Sequence, residues 1–134
     1  LNEPNKFLEI IVPREKNIYD KVSVFIKNTI PANYTINAIR GYKDYIEDFD
    51  ACIKQRDTIA KIITGMFTDL KTDKSIEENN QGINDYFTLN DLNATIDIYC
   101  QDFEETYRLE NNFTEGLVFA IHNEEFREWR LNYK

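Results

Sequence analysis

The apolar positions of this chain repeat most regularly between residues 38 and 70. Set out as heptads, position a falls on Ile39, Ile46, Ile53, Ala60 and Phe67, position d on Tyr42, Phe49, Arg56, Ile63 and Leu70, and position g on Ala38, Tyr45, Cys52, Ile59 and Met66. Fourteen of these fifteen positions are apolar, and elsewhere in the window only Ala51 and Ile62 are. The pattern predicts a long amphipathic helix whose broad buried face suits a bundle better than a two-stranded coil. Gly41 and Gly65 each cost about 1 kcal/mol against Ala inside a helix, which moves its expected start toward Tyr42 and frays it past Thr64.

A second helix is expected from Thr88 to Leu109. Thr88 is a good N-cap, Asp91 stands three residues on, and Leu89, Leu92, Ile96, Tyr99, Cys100, Phe103 and Tyr107 form the apolar stripe. The polar stretch 71–87, with Gly82, reads as a long loop that returns the two helices as an antiparallel hairpin. Residues 15–30 place Ile18, Val22, Phe25 and Ile26 on one helical face before Pro31 ends it. Residues 7–12 are a short apolar run, strand or helix. The tail 115–133 fits a helix carrying Phe119, His122, Phe126, Trp129 and Tyr133, or a hairpin turning at Asn123-Glu124-Glu125, and the longer stripe favours the helix.

These elements predict one domain over residues 1–134, mostly α, a three- or four-helix bundle around the long central helix. The alternative is an α+β domain that keeps both central helices and adds a small antiparallel sheet from the N- and C-terminal segments. The length of 134 residues, with 42% hydrophobic and 13% aromatic content, supports one buried core and rules out a disordered chain. No run of apolar residues is long enough for a membrane-spanning helix.

Charge narrows the partners. The net charge is −8, and it is uneven: residues 1–43 sum to +3, residues 44–71 to −2 and residues 72–134 to −9. Nucleic-acid binding through phosphate contacts is disfavoured, and a protein partner with a basic surface is favoured. Cys52 and Cys100 can form one disulfide or remain two buried thiols. Sequons occur at Asn33, Asn93 and Asn112 in a chain with 15 Asn, a faint sign of secretion. The chain opens at Leu1, which fits a trimmed chain or a mature form after removal of a signal.

Catalytic motifs are absent from the sequence. Gly41, Gly65, Gly82 and Gly116 are too far apart for a dinucleotide or phosphate loop, Ser23 and Ser75 lie in no nucleophile elbow, and His122 is the single histidine. One His and two Cys cannot complete a zinc site by themselves. Asp44, Glu47 and Asp50, with Asp102 and Glu105, offer paired carboxylates for magnesium. The all-α nucleotide pyrophosphohydrolases set paired acids of this kind across a bundle, and here the likeness is one of spacing alone. Asp44, Glu47 and Asp50 fall at polar heptad positions and are expected to face water, so no metal or cofactor is assigned. Arg56, the one charge on the buried stripe, either snorkels its head to water, pairs with a carboxylate of a neighbouring helix and fixes the register, or faces a partner, and the paired role is the one expected.

The expected function is therefore a non-enzymatic protein-interaction module of inhibitor, immunity or virulence type. Phe126, Trp129 and Tyr133 of the tail and Glu104 and Glu105 of the second helix are the candidate partner-binding residues. A magnesium-dependent nucleotide hydrolase and a small extracellular or surface domain are the alternatives.

Overall fold

The computed structural model describes residues 5–12, 19–31, 34–67, 69–91 and 93–132. It overturns the helical bundle. Seven strands form a single antiparallel sheet: β1 (Phe7–Val12), β2 (Lys21–Lys27), β3 (Ile36–Asp44), β4 (Lys71–Asn79), β5 (Gly82–Asn90), β6 (Ala94–Phe103) and β7 (Gly116–Asn123). Among the described residues three helices accompany it: α1 (Phe49–Met66), α2 (Glu105–Glu110) and α3 (Glu124–Asn132). The order across the sheet is β1-β2-β3-β7-β6-β5-β4. The last strand thus enters the middle and joins an N-terminal meander to a C-terminal one. Among the described residues no helix is long and apolar enough to cross a membrane.

Each correction has a local cause. The predicted 38–70 helix divides into β3 and α1, because residues 38–43 carry apolar side chains on both sides of a strand, which imitates a wide helical face. The predicted 88–109 helix is the end of β5, then β6, then α2. Ile96, Ile98 and Cys100 alternate with Thr95, Asp97 and Tyr99, a period of two rich in β-branched residues. The expected loop 71–87 is a hairpin of β4 and β5, turned at Gly82. A Cβ at Gly82 would strike the Asp102 carbonyl, and its φ of +152° favours glycine. Within 15–30, β2 replaces the expected helix, and residues 15–18 lie outside the described residues. The tail is neither all helix nor a hairpin: β7 runs directly into α3.

The partner residues across the ladders fix which side chains share a face. One aliphatic row crosses six strands as Ile10, Val24, Ile39, Ile121, Ile96 and Leu89. Helix α1 lies over the β5–β6–β7 end of this face and buries Leu89, Ile98, Cys100 and Leu117. Its buried stripe is Cys52, Arg56 and Ala60, four residues apart. Cys52 is bonded to Cys100 on β6, and both are fully buried. One turn on, Arg56 ion-pairs with Asp85 on β5, donates to the Asp85 carbonyl at 3.1 Å and binds Asp57 at 2.9 Å. The expected ion pair of Arg56 is present, with a strand in place of a helix as its partner.

Helix α3 packs on the opposite face and at the other half of the sheet. Asn123 caps it, accepting from the Phe126 N–H at 2.9 Å. Phe126 is buried against Phe25 (ring centroids 4.7 Å apart), Phe7 (5.1 Å) and Trp129 (5.5 Å). At the other end of the sheet, buried Glu115 accepts from the Glu47 and Phe103 N–H groups, each at 3.0 Å, and so ties the approach to α1 to the end of β6. A Cβ at Gly116 would collide with the Lys43 carbonyl, so the tight β3–β7 approach requires glycine there.

Two measurements check this account of α1. The native, unreduced protein should show no free thiol, and the Cys52→Ala/Cys100→Ala double variant should lose about 4 kcal/mol of stability to urea, as expected for a loop of this length. Arg56→Ala, which leaves Asp85 without its guanidinium beside a buried helix face, should lose about 3 kcal/mol. Asp85→Ala should cost less in the Arg56→Ala background than in the wild type.

Candidate functional site

Because α1 covers only the β5–β6–β7 end, no helix among the described residues covers the β1–β2–β3 end of the same sheet face, where the Tyr19 ring lies over Gly41. Leu8, Ile10 and Val12 of β1, Val22 and Val24 of β2, Ile39 of β3 and Ile121 of β7 point from it by strand alternation and ladder register. Ile10 is 46% exposed, Ile39 39% and Ile121 38%. The exposed aliphatic area is on the order of 500 Å², the upper end of what monomers usually leave bare. No charged side chain of β1 or β2 points from this face.

The patch continues to a free strand edge. The Asn28 N–H donates to the Lys6 carbonyl at 2.8 Å. The antiparallel register then directs the backbone groups of Leu8, Ile10 and Val12 toward β2 and those of Phe7, Glu9 and Ile11 outward. The other sheet edge, β4, is wholly exposed and carries Lys71, Asp73, Lys74, Glu77 and Glu78, a charge pattern that discourages strand addition. β1 has one charge, Glu9, which accepts from Ser23 at 2.5 Å and pairs with Lys21 at 3.2 Å. These partners, the Ser23 hydrogen bond first, hold the Glu9 carboxyl below its usual range.

The residues expected to bind a partner are separated by the fold. Phe126 is core, 1% exposed, and Trp129 is half-buried on Phe7 and Phe126. Glu104 caps α2, accepting from the Thr106 N–H at 3.1 Å and the Tyr107 N–H at 2.9 Å, which lowers its pKa. Glu105 is exposed in the first turn of α2. Helices α2 and α3 stand at opposite ends of β6, so the acidic and aromatic groups do not form one surface. Tyr133 lies outside the described residues. The candidate metal-binding acids are scattered as well: Asp44 ends β3, Glu47 precedes α1, Asp50 is in its first turn, and Asp102 sits beside Glu115. Among the described residues no three His, Cys, Asp or Glu side chains are grouped to hold a metal ion. The sequence reading missed the bare aliphatic face. Its signal was the alternation of residues 7–12 and 21–26, too short to stand out from helical spacing.

No protein-family model, no curated protein and no solved structure matches this chain.

Helix α3 borders this half of the sheet from the other side, and Glu125 clamps it to Lys27 at 2.8 Å and to Lys6 at 3.3 Å. The hydrogen bond from Lys27, then that from Lys6, lowers the pKa of Glu125 in the folded state. A depressed folded pKa means that the clamp contributes fully above the unfolded value and is lost as pH falls through the folded one. Emission from Trp129, the only tryptophan, should therefore shift red below about pH 4. Glu125→Gln should show part of that shift already at neutral pH. A Glu125→Gln profile identical to wild type would show that the clamp does not seat α3.

Proposed function

We propose that this domain is a non-enzymatic protein-interaction module that takes an extended aliphatic segment of a basic protein along β1. The single observation that carries this reading is the part-exposed aliphatic face ending on a strand edge whose one charge, Glu9, is held by Ser23 and Lys21. An added strand would bond to the outward groups of Phe7, Glu9 and Ile11 and lay alternate side chains beside Leu8, Ile10 and Val12. The net charge of −8 supports a basic partner, through steering more than through contact. The buried Cys52–Cys100 bond and the exposed sequon residues Asn93 and Asn112 support an oxidising compartment.

The test is selection of random peptides displayed on phage against the immobilised domain. The enriched peptides should alternate aliphatic residues with Lys or Arg. They should protect the Phe7, Glu9 and Ile11 amides from hydrogen exchange, and bind Ile10→Lys at least about tenfold more weakly than Ile76→Lys, a control on the far edge. No enrichment, or equal binding to both variants, would refute the reading. Self-association that Ile10→Lys abolishes and no selected peptide competes with would replace the foreign segment by a second copy of this chain.

A further inference from the structure

The other face of the sheet is polar in its centre. Its rows read Ser23, Arg40, Ala120, Asp97 and Thr88, then Tyr42, Val118, Tyr99 and Tyr86, with His122 beside Ala38 in the next. Ala120 is the small residue between β3 and β6. Across it the Arg40 side chain reaches over β7, and its Nη2 donates to the Tyr99 hydroxyl at 2.8 Å. Its guanidinium also stands 5.4 Å from the Tyr42 ring centroid. Arg40 is only 4% exposed, yet its Nε–H has no acceptor and no carboxylate pairs with it among the described residues. The nearby acids are otherwise engaged. Glu9 is held by Ser23 and Lys21, and Asp97 accepts from Thr88 at 2.9 Å and stands 3.5 Å from His122 Nε2. That nitrogen, on a histidine 6% exposed, also lacks a hydrogen-bond partner.

A buried guanidinium with no carboxylate in contact is among the costliest groups a fold can keep, and Glu9 acts on Arg40 only at a distance. Arg40 borders two cavities. One, of about 200 Å³, is lined by Arg40, Tyr86, Tyr99, His122, Arg127 and Arg130, with Asp97 and Glu77 as its acids. The second, of about 360 Å³, shares Arg40 and Arg130, is walled by Phe25, Tyr42, Phe126 and Trp129, and has the paired Glu9 and Lys21 at its border. Three guanidiniums against two carboxylates make the first cavity a positive locus in a molecule of net charge −8. Burial and the neighbouring arginines keep His122 neutral, while Asp97 opposes them. The surplus is therefore carried by arginine. Burial likewise holds the proton on Tyr99, whose hydroxyl accepts from Arg40 and can donate in turn.

We propose that this is a binding site for a small organic acid. Its carboxylate or equivalent oxyanion sits on Arg40 Nε and the Tyr99 hydroxyl, with Arg130 alongside, and its apolar body lies against Tyr42 and Trp129. The aromatic walls of the second cavity favour an organic body over a bare inorganic ion, and the unpaired guanidinium favours an acid over a neutral molecule. The site is on the face opposite the proposed docking surface, so either assignment can fail without the other.

The experiment is a titration of the intact protein followed by Trp129 fluorescence, with thermal shift as a second readout. The probes are benzoate and hexanoate, their neutral counterparts benzyl alcohol and hexanol, and sodium sulfate and phosphate. The acids should saturate at or below about 1 mM and raise Tm, and the alcohols should bind at least about tenfold more weakly. Arg40→Met should lose at least about tenfold in acid affinity while its ligand-free Tm stays level or rises, since an unpaired charge has been removed. Should that variant fail to fold, Arg130→Gln, at the border of both cavities, must weaken the acids without affecting the alcohols. Absence of saturation by either acid, or acid binding unchanged in the folded variants, would overturn the site. Sulfate or phosphate binding as tightly as the acids would overturn its assignment to an organic ligand.

Discussion

The pairing of β3 with β7 is the constraint on which the rest of the molecule depends. It runs from Ala38 opposite His122 to Asp44 opposite Gly116, and it makes one sheet from two meanders. A slip of one residue would turn every β3 side chain to the other face. Arg40 would then leave the polar centre for the aliphatic side, and Ile39 would break the row that runs from Ile10 to Leu89. Gly116 supports the register sterically, because the Lys43 carbonyl lies where a Cβ would be.

Given one sheet and two principal helices, coverage is necessarily incomplete. Helix α1 is fastened over β5, β6 and β7 by the Cys52–Cys100 bond and the Arg56–Asp85 pair. Helix α3 seats its aromatic cluster on the reverse side, against β1, β2 and β3. Each face therefore keeps a half away from its helix's core contacts. One is largely aliphatic, with Lys43 at the end of β3, and the other holds tyrosines, a histidine and a buried arginine. The physical difference between them follows from β2 and β3 alone. Val22, Val24 and Ile39 turn one way, and Ser23, Arg40 and Tyr42 the other.

The helical half of the long heptad pattern was legible: α1 occupies residues 49–66 of the predicted 38–70, and Cys52, Arg56 and Ala60 face the core as their positions required. Its first third was not. Ala38, Ile39 and Tyr42 are apolar on both sides of a strand at the centre of a sheet, and such a segment has no dry side to reveal its period. The same confusion turned β6 into a helix. Tyr99 and Cys100 are adjacent and both buried, but on opposite faces. The polar strands β4 and β5 were lost for another reason. Ser75, Glu77 and Asn79 lie on a solvated edge, where composition resembles a loop and only hydrogen bonds to β5 define a strand. Of the candidate site, the ion pair of Arg56 could be anticipated from one charge in an apolar stripe. The isolation of Arg40 could not, since it depends on which strands flank β3.

The position of β7 has a further consequence, for the order in which the ribosome delivers the parts. The strand at the centre of the sheet emerges only after β4, β5 and β6, roughly 80 residues after the β3 edge it must join. Until then β3 presents an open ladder, and the nascent β1–β2–β3 meander has its aliphatic side bare along its whole width. Vectorial synthesis therefore leaves the sheet unable to close its middle until β7 has been made. The β1–β2–β3 meander depends on a late arrival for its shape.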